Sequence, residues 1–379
     1  MLYYKCILLK EWMFMKQNLK KLQNYMISEE IDVVYLDEPT TVAYFTNFES
    51  NPHERIVAYI VTQSDEFLFV PTLEKEEATH NSTVDTIYSY GDGENPWAII
   101  EEKTAEITDT IDFVCIDENS LTVERYFHLQ KAFNTENFEN IGSFVENIRV
   151  VKTNDEIEKM LKAGELADEA LQLGIDSLEK GITEQEVAAI IEMAMKNKGV
   201  SEMSFPTLVL FGDHAASPHG SPGDRKLKEN ELVLFDLGVI YNGYASDATR
   251  TVAFGTINEK AKEIYETVLK AERAAQAAVK PGMRAGELDQ IARKIIEDAG
   301  YGEYFTHRLG HGIGKTAHEF PSIHGSNETL LESGMCFSIE PGIYIPGEIG
   351  VRIEDCVYVT EDGCEPFTTL DKELETILK

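Results

Sequence analysis

The stretch from Glu231 to Phe254, ELVLFDLGVIYNGYASDATRTVAF, decides how this chain reads. Two apolar runs flank Asn242-Gly243, the strongest short signal for a hairpin turn. With the turn there, positions whose numbers add to 485 face each other. Asp236 then faces Thr249, and Asp247 lies two residues further along the same face. The two carboxylates become diagonal neighbours across the ladder. Like charges this close repel unless protons or cations sit between them.

The same arrangement recurs further along. Upstream, Thr153 with Glu156 forms a capping box that opens a helix reaching Glu179, and Gly181 stops it. Thr183 with Glu186 starts a second helix. The Pro/Gly-rich segment FPTLVLFGDHAASPHGSPGDR then leads into the aspartate hairpin. Downstream, a helix over 258–279 ends at Pro281-Gly282 and a second covers 285–299. GITEQEV and GMRAGEL hold equivalent places, 101 residues apart from Gly181 to Gly282. A second strand pair, MCFSIEPGIY and VRIEDCVYV, turns at Pro346-Gly347 and carries Glu340 and Glu354. Asp236 to Glu340 is 104 residues and Asp247 to Glu354 is 107. Two related halves facing each other would bring four carboxylates to one centre.

A lone acid means little among 67 acidic residues. Acids inside apolar strands, as in LFDLG, FSIEPG and VRIED, mean more, because burying an ionised carboxylate costs several kcal/mol unless it is paired or on a metal. The alternative is a buried salt-bridge network, but Arg352 and His311 can neutralise only part of the charge. Oxygen-rich ligation with one imidazole favours Mn²⁺ or Co²⁺ over a thiolate-type zinc site. Cys336 and Cys356, in strands near these acids, read as small apolar residues. HRLGHGIGKTAHEFP places His307, His311 and His318 at spacings of four and seven, among glycines that permit close backbone approach. His219, in SPHGSPGD, is a fourth histidine of interest.

A chain of 379 residues suits two domains. Its formal net charge of −33 argues against nucleic acid and anionic membrane as partners. Five scattered cysteines point to a reducing compartment, and a cytoplasmic location is expected. No apolar stretch approaches a membrane span. MLYYKCILLKEWMFMKQ has a faint signal-peptide look, broken by Lys5, Lys10 and Glu11. The helical pattern begins at Met15, and the first 14 residues read as an upstream extension or a helix docking on the body. Residues 1–150 form an α/β domain with a mixed sheet. LKKLQNYMISEE reads as a helix; IDVVYL, RIVAYIVT, EFLFV, DTIYSY and DFVCID read as strands. Further helices are expected near 74–80, 96–109 and 121–132. NFESNPHERI, with His53, Glu54 and Arg55, reads as a polar loop. The boundary falls near Val151-Lys152, leaving 151–379 as the second domain.

The string FDLG, GYASDATRT, HRLGHGIG, HEFPSI, MCFSIEPGIYIPG and VRIEDC resembles the metallopeptidases of the pita-bread fold, which include methionine aminopeptidase, aminopeptidase P and prolidase. The resemblance covers about 230 C-terminal residues. The N-terminal domain resembles the smaller domain that prolidases and aminopeptidases P share with creatinase. NPHERI and VPTLEKEEA fit the bacterial Xaa-Pro dipeptidases of the lactobacillus type; the extension before Met15 departs from them. The implied architecture is an α/β N-terminal domain plus an α+β catalytic domain with an internal pseudo-two-fold repeat. The implied ligands of two divalent metal ions, Mn²⁺ before Co²⁺ or Zn²⁺, are Asp236, Asp247, His311, Glu340 and Glu354. Asp247 and Glu354 would be shared between the metals, His311 would bind one and Asp236 the other. Glu340 would bridge and act as general base. His219 and His318 would hold the substrate and stabilise the tetrahedral intermediate, and His307 and Arg352 would sit behind the ligands or in the pocket; by nearness in sequence, His307, His318, Arg308 and Arg352 are the candidates to bind the proline carboxylate. The implied reaction is hydrolysis of the bond before proline in small peptides. That bond is a tertiary amide with no N–H to grip. Aminopeptidase P activity on longer peptides is the alternative, and a metal-free creatinase-like hydrolase or binding module would have lost ligands. A homodimer is implied, with the NPHER loop reaching the neighbouring subunit.

Overall fold

A computed structural model describes residues 2–108 and 110–378, with side chains described from Trp12 onward. The chain separates into two units, Met1–Ile148 and Arg149–Lys379.

The first unit is a mixed six-stranded sheet. Its strands are β1 (Val33–Leu36), β2 (Ala58–Thr62), β3 (Glu66–Pro71), β4 (Ile87–Tyr90), β5 (Val114–Ile116) and β6 (Phe138–Asn140), in the order β4-β3-β2-β1-β5-β6. β1 is buried on both faces. Val34 and Leu36 join one apolar cluster, Val33 and Tyr35 the other. That explains why VVYL is an unbroken apolar run with no alternation. The helices are α1 (Leu2–Ser28), α2 (Pro39–Thr46), α3 (Lys75–Asn81), α4 (Pro96–Ala105), α5 (Val123–Phe133) and α6 (Gly142–Val150).

Of the elements here, α4 departs from expectation, α1 follows the helical one of its two readings, and α2 carried no expectation. α1 begins at Leu2 and runs unbroken through Met15. α4 stops at Ala105, short of the expected span, whose last residue, Asp109, lies outside the described residues. PTTVAYFT is β-branched and aromatic, yet forms α2. There the Glu38 carboxylate accepts the Thr40 and Thr41 N–H groups at 3.0 and 2.6 Å, Pro39 opens the first turn, and Asn47 closes it in the left-handed region. Capping overrode intrinsic propensity.

The second unit is built from two similar halves. The first contains α7 (Asn154–Ser177), α8 (Glu184–Asn197), β7 (Leu208–Phe211), β8 (Glu231–Leu237), β9 (Ile240–Tyr241), β10 (Tyr244–Ala245) and β11 (Ala248–Phe254). The second contains α9 (Glu259–Ala278), α10 (Ala285–Asp298), β12 (Gly310–Gly312), β13 (Glu319–Ile323), β14 (Cys336–Ile339), β15 (Gly342–Ile345), β16 (Ile349–Arg352) and β17 (Glu354–Val359). Both expected capping boxes, at Thr153 and Thr183, are present. The large sheet runs β13-β12-β14-β17-β11-β8-β7, so the halves meet where β17 pairs with β11. Each half has its own core: α7 and α8 pack on Val233, Phe235 and Val252, while α9 and α10 pack on Phe337, Ile339 and Val357.

The aspartate hairpin holds its predicted register throughout, with Thr249 opposite Asp236 and Tyr244 opposite Tyr241. Asn242 and Gly243 have φ of 48° and 74°, as a type I′ turn demands. The hairpin is not one continuous ladder, however. It breaks between β8/β11 and β9/β10, where a Cβ on Gly238 would lie 1.8 Å from the Ser246 carbonyl oxygen. The second pair behaves alike. Ile339 faces Asp355 and Gly342 faces Arg352, one register on both sides of a break at Glu340-Pro341 and Ile353. Its turn holds three residues, 346–348, with Gly347 at φ 70°. Asp247 and Glu340 sit in these breaks; Asp236 and Glu354 lie on strand ends beside them.

Candidate metal centre and active site

All ten residues singled out in the sequence line one cavity of about 410 Å³: Asp236, Asp247, His311, Glu340, Glu354, His219, His307, Arg308, His318 and Arg352. Asp236 and Asp247 therefore open on the same cavity, although Asp247 lies in the break and not in the ladder. Asp247, His311 and Glu354 each bring one donor atom to within 4.8 Å of the others, and all three are buried.

His311 is aimed by its backbone surroundings. Its N–H donates to Ser338 Oγ at 3.0 Å, and its ring Nδ1 donates to the Gly312 carbonyl at 3.1 Å. That leaves Nε2 facing carboxylate oxygens, 3.2 Å from Glu340 and 3.6 Å from Asp247. Such a pairing is repulsive unless a proton or a cation lies between. Ser338 Oγ also donates to Glu340 at 3.0 Å.

Charge in the cluster does not balance. Burial, then Glu354, Asp236 and Glu340, push the Asp247 carboxyl well above its ordinary range. Burial, then Glu340 and Asp236, do the same to Glu354. At Glu340 burial also opposes ionisation, but the His311 hydrogen bond and the His311, His307 and Arg352 charges prevail and hold it down to about 2. The carboxylates compete for too few positive charges. Among the described residues, three of their buried oxygens, Asp236 Oδ1, Asp247 Oδ1 and Glu354 Oε1, have no hydrogen-bond partner. Unpartnered buried oxygens, four carboxylates and one imidazole fit hard divalent cations. The nearby thiols do not compete, since burial pushes Cys336 up to about 12 and Cys356 well above its ordinary range.

Among the described residues, Arg352 is the one guanidinium buried in this cluster. It binds Asp236, donates through Nε to Thr249 Oγ1 at 3.1 Å and through Nη1 to the Tyr344 hydroxyl at 2.9 Å. Thr249 Oγ1 in turn donates to Glu354 Oε2 at 2.7 Å. Tyr344 donates to His307 Nε2 at 2.9 Å, because His307 Nδ1 already donates to the Arg308 carbonyl. Arg308 is less engaged, with Nη1 on Ser322 Oγ at 2.8 Å. The His318 ring packs tilted on His311, with centroids 4.0 Å apart and planes at 31°, and burial, then the His311 charge, lower it to about 4.

Sequence reading missed the groups that orient these side chains, Tyr344, Thr249, Ser338 and Ser322, and an apolar wall of Phe205, Pro206 and Leu208. A signal for Tyr344 existed. Gly342 faces Arg352 across β15/β16, and a Cβ there would lie 2.3 Å from the Tyr344 hydroxyl.

An acid-lined centre between repeated halves of a pita-bread fold defines a metallopeptidase. The profile of metallopeptidase family M24 matches residues 158–361, and that of the creatinase/prolidase N-terminal domain matches 18–151. The chain belongs to family M24. It is 49% identical to an Xaa-Pro dipeptidase of Lactobacillus delbrueckii subsp. lactis over 95% of this chain and 99% of that one. Among solved structures it is similar to the prolidase from Pyrococcus horikoshii OT3, with TM-score 0.88 and 37% identity over 94% of this chain and 99% of that chain. It is likewise similar to an Xaa-Pro dipeptidase from Bacillus anthracis, with TM-score 0.89 and 31% identity over 96% of this chain and all of that one (100%).

Proposed function

We propose that the protein is an Xaa-Pro dipeptidase that hydrolyses the bond before proline in dipeptides. The observation that carries this is the convergence of four carboxylates and one imidazole, with three unpartnered oxygens, on a cavity that also holds a basic and an apolar wall. Asp236, Asp247, His311, Glu340 and Glu354 would hold two divalent ions, with Mn²⁺ preferred on the hardness of the donors. When bound, such a pair lowers the pKa of a water and polarises the carbonyl.

The chain's own residues do the rest. Glu340, ionised beside His311, takes a proton from the attacking water and returns it to the leaving proline nitrogen. His318, neutral at pH 7, and His219 supply N–H donors where charge develops on the carbonyl oxygen. Arg308 has a free side of its fork for the proline carboxylate. Phe205, Pro206 and Leu208 offer the substrate an apolar face. Arg352, engaged on three sides, fixes Asp236 and Tyr344. The reading also makes the enzyme a cytoplasmic homodimer acting on small peptides; sedimentation should give the mass of two 42.6 kDa chains.

The deciding experiment compares Leu-Pro with Leu-Pro-Gly in the presence of Mn²⁺. The dipeptide should have the higher kcat/KM, because the longer chain moves the carboxylate away from Arg308, a loss on the order of 2–3 kcal/mol. Comparable values would move the assignment to Xaa-Pro aminopeptidase.

A further inference from the structure

Two buried carboxylates outside the cavity have no role so far. Glu184, the first residue of α8, is fully buried (0% exposed). Its Oε1 accepts the Phe211 N–H at 2.8 Å, its Oε2 accepts the Gly223 N–H at 3.0 Å, and His214 Nδ1 lies 2.9 Å from both. One side chain thus ties both ends of the loop that carries His219. Among the described residues the His219 ring has no hydrogen-bond partner of its own, so its place depends on that loop.

The second half has a counterpart. Asp289 on α10 is 2% exposed. Its Oδ1 accepts the Leu309 N–H at 2.9 Å, and both its oxygens bind the Arg293 fork at 2.9 Å. Arg293 reaches on to the Phe305 and His307 carbonyls at 2.9 and 2.8 Å. The pair therefore grips the backbone on both sides of His307 and Arg308. At the 101-residue spacing of the halves, Glu184 matches Ala285, one turn before Asp289. The halves share a device, although the residue is not at the same position.

We propose that Glu184 and Asp289 are positioning residues, each setting from the second helix of its half one histidine of the cavity wall, His219 and His307 respectively. What those histidines touch rests on the dipeptidase reading; that the carboxylates set them does not. Carboxylate chemistry matters at Glu184. An amide in its place would turn an NH₂ toward the Phe211 or the Gly223 N–H, donor against donor.

The test uses the full-length enzyme loaded with diamagnetic Zn²⁺ and selectively ¹⁵N-labelled on histidine. In Glu184→Gln the His219 ring signals should shift or broaden while those of His307 stay. In Asp289→Asn the pattern should reverse. Bound metal should be unchanged in both. With Leu-Pro as substrate, Glu184→Gln should lower kcat about ten- to a hundredfold, as sub-ångström misplacement does. That loss should vanish in a His219→Ala background, because the effect travels through that ring. The proposal is overturned if either variant disturbs both histidines alike, or if the kcat loss persists undiminished without His219. Should either variant fail to fold, the milder His214→Ala and Arg293→Lys decide by the same signals. If the wild-type enzyme does not cleave Leu-Pro, the dipeptidase reading fails, and the ring signals alone judge the positioning.

Discussion

The two halves of the catalytic unit are built to one plan but contribute unequal charge. Each is a helix pair plus a strand pair that keeps one register across a break. The first half brings Asp236, Asp247 and His219 to the cavity. The second brings Glu340 and Glu354 together with His307, Arg308, His311, His318 and Arg352. Every guanidinium lining the cavity comes from the second half, and Arg352 crosses over to bind Asp236 of the first. The halves also join through the β11–β17 pairing, where Thr249 faces and hydrogen-bonds Glu354. Neither half is a site by itself, so the repeat supplies symmetric scaffolding for an asymmetric centre.

One acid from each half tests that asymmetry most severely. Asp236→Asn and Glu354→Gln should each remove most activity, well over about a hundredfold in kcat, and lower bound metal toward about one ion per chain. Metal analysis of the purified variants beside their kinetics checks this. Full occupancy and activity in the Asp236 variant alone would mean that Asp247 is the only ligand the first half contributes.

The histidines offer the same comparison one step from the metals. His219→Ala in the first half and His318→Ala in the second should each cost kcat about a hundred- to a thousandfold while metal content stays put. If His318→Ala loses metal as well, its packing on His311 is part of the ligand shell, and the two histidines are not equivalent.

Next in size is the brace beneath His318. Glu319 accepts from Arg149 at 2.5 Å, from Lys152 at 3.2 Å and from the Thr316 N–H at 3.1 Å. Burial opposes its ionisation, but Lys152, then Arg149, hold its carboxyl down to about 2. A depressed folded-state value stabilises the protein above the unfolded value and loses that stabilisation as pH falls through the folded one. Glu319→Gln should therefore cost on the order of 3 kcal/mol near neutral pH. It should also flatten the fall in stability between about pH 4.5 and 2. Urea unfolding at a series of pH values measures both. A parallel, merely offset curve would assign the cost to packing.

Much of this was legible in the chain because its signals are local. The Asn-Gly turn fixed the aspartate register, the Thr-x-x-Glu caps opened α7 and α8, and acids inside apolar runs stood out against a surface rich in solvated ones. What was not legible depends on contacts between distant segments. The first strand pair breaks beside Gly238, whose missing Cβ would lie 1.8 Å from the Ser246 carbonyl oxygen, and the second breaks at Glu340-Pro341 and Ile353. Tyr344, Ser338 and Thr249 look like ordinary strand residues until the fold surrounds them with charge. Glu184 and Asp289 look like helix-surface acids until their loops close over them.

The smallest expected effect lies in the turns, where the halves differ in length. The first turn places Asn242 and Gly243 at φ 48° and 74°; the second places Gly347 at φ 70° between Pro346 and Glu348. A Cβ on Gly347 would meet nothing within 4 Å, so Gly347→Ala carries backbone strain alone. That strain is about 1 kcal/mol for an L-residue in the left-handed region. Asparagine, which tolerates this region as Asn242 does, should recover part of it. Denaturant midpoints for Gly347→Ala and Gly347→Asn should fall in that order below wild type, with slopes and kcat unchanged. A loss of several kcal/mol, or any loss of activity, would show that the three-residue turn reaches the metal site through β15 and Tyr344, which the two-residue turn of the first half has no counterpart to do.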